Sequence, residues 1–317
     1  MARIYDSIRY FKTTDNVEIE YADLGGDGPC VLFIPGYSLA TDLVLPALSK
    51  YKDEYRIITL TLRGFGGAKP AKARGSEEKG EISITQAARD IHQLIDHLAM
   101  DDCIMVGYSM GTCVALSYIE QFGCHKISRL VILDMTPKLI NDDSWDLGLY
   151  QGHYTYERML TDLDVMKKDY IKGFNQYFFH QAAFTHYRSE PRDYVFTEEM
   201  KMDIEEYAKW YNIDGLTADI LTFVPPSKWN LYRTYWEDMC SKDYRPMLGD
   251  ITIPTGILYA DPGSIYDVRT AMYLKENIIN SRCYSIKGAV HTSLITFSTE
   301  ETFKQISQFL KDASNNI

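Results

Sequence analysis

The sequence predicts an α/β protein whose mainly parallel sheet is covered on both faces by helices. Three observations lead there. Short apolar runs rich in β-branched residues, such as residues 30–35 (CVLFIP) and 56–62 (RIITLTL), suit strands buried on both faces. Stretches of helical period separate such runs, and strands alternating with helices build parallel sheets. At 317 residues, with 45% hydrophobic and 24% charged side chains, the chain is long enough for one large domain or for a core carrying an insertion.

Each element follows in order. Residues 3–22 alternate apolar and polar in two runs broken at Thr14-Asp15-Asn16, the pattern of an antiparallel hairpin. The buried runs 30–35 and 56–62 come next, with helical character over 42–52 between them. Residues 83–98 form the clearest helix: Ile84, Ala87, Ala88, Ile91, Leu94, Ile95 and Leu98 make one apolar stripe, and Ser83 with Gln86 offers a capping box. Strand 103–108, helix 110–122 and strand 130–134 continue the alternation. The pattern then breaks. Residues 138–248 are helical, irregular and aromatic, holding all four tryptophans (Trp145, Trp210, Trp229, Trp236) and 12 of the 24 tyrosines. This composition shift predicts an inserted helical cap at 138–248 on a core of 1–137 and 249–317. Alternation resumes with 255–260, 267–279 and 282–287. A last helix near Ser298 buries Phe303, Ile306, Phe309 and Leu310, with Ser298 and Glu301 as a second capping box.

Charge and composition exclude several classes. With 33 basic against 44 acidic residues the formal charge is −11 and no basic run stands out, which disfavours nucleic acid and anionic membranes as partners. No apolar run approaches the roughly 18 residues that span a bilayer, and the N-terminus lacks the apolar stretch of a signal peptide. The six cysteines (Cys30, Cys103, Cys113, Cys124, Cys240, Cys283) show no C-x-x-C spacing, and four fall in segments that read as buried strands or helices. Free thiols and a cytoplasmic location are therefore expected. Neither a metal-ligand spacing nor a dinucleotide or phosphate loop is present, so no metal and no cofactor are expected.

The chemistry centres on Gly107-Tyr108-Ser109-Met110-Gly111, a G-x-S-x-G pentapeptide entered by a strand and left by a helix. That context is what a nucleophile elbow requires: a strained turn presents the serine, and small flanking residues let neighbouring chains approach. A serine hydroxyl is a weak nucleophile without a base. Of the seven histidines, only His291 lies in a loop after a late strand. His92 and His97 read as surface or packing residues of their helix, His125 follows a helix end, and His153, His180 and His186 fall in the cap.

With these residues in view, the chain resembles the α/β-hydrolase superfamily. Four motifs carry the resemblance: Phe33-Ile34-Pro35-Gly36-Tyr37 as the oxyanion loop, Leu62-Arg63-Gly64-Phe65-Gly66-Gly67 as the R-G-x-G turn, the elbow, and Gly288-Ala289-Val290-His291 as the histidine loop. Pro35 stands where the family often has histidine, and Thr61 where it often has aspartate. The resemblance implies an α/β-hydrolase fold with Ser109 as nucleophile, His291 as base, and the backbone N–H groups of Met110 and Tyr37 as the oxyanion hole. Two carboxylates compete for the acid. The family's usual position falls on Gly263, with Asp261 two residues early and Asp267 four late. A subset resembling esterases and non-haem haloperoxidases places the acid one strand earlier, where this chain has Asp134 in the run Asp134-Met-Thr-Pro. Asp134 is the choice and Asp261 the alternative.

The implied function is a cofactor-free serine hydrolase acting on a small ester or lactone, its pocket roofed by an aromatic cap and suited to an apolar or aromatic small molecule. The same residues would serve carbon–carbon bond hydrolysis or cofactor-independent oxygenation. A ligand receptor with a residual triad is the alternative of a different class. The reading leaves room for association between copies of the chain.

Overall fold

The apolar runs of the sequence become one eight-stranded sheet in the computed structural model, which describes residues 2–66, 75–168, 228–263, 265–295 and 298–314. In chain order the strands are β1 (Ile8–Lys12), β2 (Glu18–Asp23), β3 (Cys30–Ile34), β4 (Arg56–Leu60), β5 (Cys103–Tyr108), β6 (Ile127–Leu133), β7 (Thr255–Asp261) and β8 (Ser281–Lys287). Their spatial order is β1-β2-β4-β3-β5-β6-β7-β8. β1 and β2 form the hairpin, β2 runs antiparallel to β4, and every later pairing is parallel.

The two-residue period of a strand explains why both faces are buried. Leu32, Met105, Leu130, Ile132 and Ile257 point to one side. Val31, Phe33, Ile104, Val106, Val131, Leu133 and Leu258 point to the other. The first face is covered by α2 (Ile84–His97) and α3 (Met110–Phe122), together with α6 (Val268–Asn277). The second is covered by α1 (Thr41–Leu48) and α7 (Thr299–Ser314). The stripe of α2 is fully buried from Ile84 to Ile95, so truncating Ile91 to alanine would cost about 2–5 kcal/mol.

Two local expectations are corrected. Residues 3–7 are not strand: Ala2–Tyr5 is a helical turn, closed by the Ser7 hydroxyl donating to the Ile4 carbonyl. The two capping boxes are also incomplete. Ser83 does accept from the Gln86 N–H at 3.0 Å, but the Gln86 side-chain oxygen, the acceptor that the box needs, takes a hydrogen bond from Arg89 Nη1 at 3.2 Å instead of reaching back. Likewise the Ser298 N–H donates to the Ser293 carbonyl at 2.7 Å, and the two Glu301 carboxylate oxygens accept from Lys304 and Gln305 instead. In both cases a side-chain partner one helical turn ahead competes for the residue that the box needs.

The parallel neighbours β6 and β7 are joined by a long excursion, of which 138–168 and 228–248 are described and 169–227, with Trp210, His180 and His186, lie outside the described residues. The described parts hold α4 (Tyr156–Lys168) and α5 (Trp229–Ser241), which pack on each other. Helix α5 is tied to the core. Tyr235 Oη donates to the Arg63 carbonyl at 3.0 Å, and Lys228 Nζ donates to the Gly64 and Gly66 carbonyls at 3.1 Å. The Asp238 carboxylate accepts from the Ile84 N–H at 2.7 Å, capping α2. All six cysteines are free thiols. No helix among the described residues is long and apolar enough to cross a membrane.

Candidate active site

Ser109 sits between the end of β5 and the first residue of α3, at φ 52° and ψ −126°. That backbone conformation suits glycine, and here a serine holds it. Two contacts keep it there. The Ser109 N–H donates to the Leu133 carbonyl at 3.1 Å, fastening the turn to the end of β6. Gly111 lets the first turn of α3 lie against β3, since a Cβ on it would stand 2.0 Å from the Ile34 carbonyl oxygen. The hydroxyl is thereby lifted above the carboxyl edge of the sheet, where ligand sites of open α/β sheets gather.

His291 starts the short 3-10 turn His291–Ile295 after β8. Its Nε2 lies 2.9 Å from Ser109 Oγ, and its Nδ1 lies 2.7 Å from Asp134 Oδ2. Asp134 follows β6 directly and is itself at positive φ, 51°. The Asp134 N–H donates to the Leu258 carbonyl at 2.8 Å, and its other carboxylate oxygen, Oδ1, accepts from the Ala260 N–H at 3.2 Å. Both carboxylate oxygens are therefore oriented by named donors. The Asp134 and His291 side chains are only 4% and 6% exposed, so their contact is shielded from water, whereas Ser109 is half-buried and reachable. With the carboxylate on Nδ1, the proton of a neutral imidazole resides there and Nε2 is left as the acceptor facing the serine.

The structure thus brings Ser109, His291 and Asp134 into one line, and does not bring Asp261 to it. Asp261 ends β7, and its carbonyl accepts from the Gly288 N–H at 2.9 Å. Gly263 lies in the turn beyond, its N–H donating to the Ala260 carbonyl. The loop of Tyr37 borders the serine: a Cβ on Gly36 would come 3.1 Å from Ser109 Cβ. Met110 is the first residue of α3, so its N–H belongs to the first turn of the helix, at the positive end of the helix dipole.

Two tyrosines that the motifs did not single out frame the imidazole. The Tyr108 ring stacks on His291 with centroids 5.1 Å apart and planes 26° apart, and its hydroxyl donates to the His291 carbonyl at 2.9 Å. Tyr266 meets the imidazole edge-on at 5.7 Å and 76°. The place of Tyr108 immediately before the nucleophile is a signal in the sequence; nothing local marks Tyr266. The other described histidines serve elsewhere. His92 stacks on Phe122 at 4.0 Å, His97 on Phe11 at 5.5 Å, and His125 and His153 are exposed.

Comparison with known proteins places the chain in a family. The profile of the alpha/beta hydrolase fold family matches residues 29–298. A Synechocystis protein named "Putative non-heme chloroperoxidase" is 26% identical over 285 residues, covering 87% of this chain and 88% of its own. Among solved structures, an esterase from Exiguobacterium antarcticum superposes with a TM-score of 0.71 at 19% identity, over 95% of this chain and 98% of that one. A bromoperoxidase from Bacillus anthracis gives 0.69 at 23%, over 96% and 100%. The enol-lactonase from Burkholderia xenovorans gives 0.67 at 17%, also over 96% and 100%. At these identities the structural likeness establishes the fold, and the profile match establishes the family: the chain belongs to the α/β-hydrolases and is an enzyme of that family.

Proposed function

We propose that the protein is a serine hydrolase that cleaves a small ester or lactone through an acyl-enzyme. The observation that carries the reading is the buried, directed line from Asp134 through His291 to Ser109, at 2.7 and 2.9 Å. In this reading Ser109 Oγ attacks the carbonyl carbon while His291 Nε2 takes its proton. Asp134 holds the Nδ1 proton and stabilises the imidazolium. The N–H groups of Met110 and Tyr37 stabilise the oxyanion. The imidazolium then protonates the leaving alkoxide, and Nε2 deprotonates a water that releases the acid from Ser109. In a lactone, the leaving alkoxide stays tethered to the acyl group. Segment 138–248 serves as the cap that shapes access, and its aromatic residues favour an apolar or aromatic substrate. Fold neighbours named as an esterase and an enol-lactonase make short acyl esters and small lactones the first substrates to assay.

The test is a fluorophosphonate label combined with turnover of those substrates. Wild type is expected to label at Ser109. Ser109→Ala is expected to lose the label and about 10⁴-fold or more of the rate at unchanged thermal stability. Burst-phase acylation persisting in that variant would refute the assignment.

A further inference from the structure

The backbone N–H of Tyr37 has a place in the proposed oxyanion hole, but its side chain points away into the helical excursion. Tyr37 Oη donates to the carbonyl of Tyr232, in α5, at 2.8 Å across 195 residues of sequence. Its ring meets Trp236 edge-on at 5.6 Å and Tyr232 at 5.9 Å, both from α5, and Phe65 of the R-G-x-G turn at 5.8 Å. Phe65 in turn packs on Tyr232 and Tyr235 at 4.7 and 4.8 Å. The grip is held at its far end, because Tyr235 and Asp238 of α5 and Lys228, just before it, are bonded to the Arg63, Gly64 and Gly66 carbonyls and to the N-terminus of α2. At its near end the loop has little room, since Gly36 lies against Ser109 and Tyr108.

We infer that α5 positions the oxyanion hole through the Tyr37 side chain, so that Tyr37 is a positioning residue as well as the donor of a backbone N–H. The inference rests on the serine-hydrolase reading above. Its physical basis is that an oxyanion donor works only where its N–H is held within hydrogen-bond distance of the developing charge, and a loop N–H is held by whatever fixes its side chain. Ground-state binding does not use that charge, so loosening the grip costs transition-state binding selectively.

The experiment compares Tyr37→Phe, which keeps the ring and deletes the hydrogen bond, with Tyr37→Leu, which deletes both. For each variant kcat/KM is measured beside two inhibition constants. One is for a trifluoromethyl ketone, which adds Ser109 and places an oxyanion in the hole. The other is for the methyl ketone of the same shape, which binds without forming the adduct. Losing one hydrogen bond predicts a fall in kcat/KM of about 3–10-fold for Tyr37→Phe. Freeing the loop predicts a loss on the order of 100-fold for Tyr37→Leu. The trifluoromethyl ketone is expected to weaken in step with the rate, and the methyl ketone to hold its affinity. Both ketones weakening equally would mean a pocket effect and overturn the inference, as would rates and affinities that stay at wild-type level in Tyr37→Leu. Ser109→Ala retaining turnover would instead overturn the serine-hydrolase reading underneath.

Discussion

Two clusters, each holding a buried aspartate, sit at different places along the sheet, one after β4 and one after β6, and they are built from the same residue type for opposite ends. In one, the fully buried Arg63 guanidinium is forked onto Asp90 at 2.6 and 2.8 Å and onto Asp15 at 2.5 and 3.1 Å, with a further bond to the Lys79 carbonyl. In the other, Asp134 faces His291, which in turn faces Ser109. Arginine cannot lose its proton in a protein, so the first cluster is a permanent ionic clamp on the R-G-x-G turn. Histidine can gain and lose one, so the second can take up charge during a reaction. Burial of an aspartate is common to both. What separates structure from chemistry is whether its partner can change charge, and whether that partner faces a reachable atom.

Exchanging carboxylates for amides should affect the two clusters differently. The largest expected effect is on rate. Asp134→Asn should lower kcat about 10⁴-fold with little loss of stability, because the amide favours the wrong imidazole tautomer, while Asp261→Asn should retain most activity; steady-state kinetics on both variants decide it. Asp90→Asn should behave in the opposite way. It leaves a buried guanidinium short of a partner and should cost on the order of 3 kcal/mol in urea unfolding, with kcat nearly unchanged in the folded fraction. Equal effects of the two substitutions on both readouts would erase the distinction.

The smallest effect is the pH dependence of the clamp. Arg63 hydrogen bonds pull the Asp15 carboxyl down to about 2. Asp90 bonds the same arginine, yet burial pushes it up. A carboxyl depressed in the folded state contributes stability that is present above its unfolded value, near 4, and lost as pH falls through 2. Asp15, and not Asp90, should therefore account for clamp stability lost between about pH 4 and 2. Because Asp15 is 42% exposed, solvent screens much of the effect. Unfolding curves of Asp15→Asn should be flatter with pH in that window than those of wild type, and parallel curves would argue against the assignment.

The sheet was legible because period and burial are local properties: runs such as 103–108 and 130–134 announce strands without knowledge of their neighbours. The elbow was legible for the same reason, since strand, turn and helix are contiguous there. The acid was only half legible. Asp134 follows the end of β6 and Asp261 ends β7, and which one reaches His291 depends on how β6, β7 and β8 lie side by side. The clamp and the Tyr37 grip were not legible. Arg63 finds its carboxylates 48 and 27 residues away, and Tyr37 finds its acceptor 195 residues away; no spacing rule links such partners. Residues 3–7 misled because apolar alternation over so few positions fits a helical turn equally well.

The backbone at the elbow has a consequence for how this enzyme can be improved. Ser109 and Asp134 both hold positive φ, at 52° and 51°, and such conformations cost about 1–3 kcal/mol each. The turn would relax if Ser109 became glycine. Ser109→Gly should raise unfolding free energy by about 1 kcal/mol while abolishing turnover, and an unchanged or lower stability would mean the turn carries no strain. Directed evolution under a thermostability screen alone would thus be drawn toward a tougher, inert protein. A screen meant to keep the chemistry has to select for activity in every round.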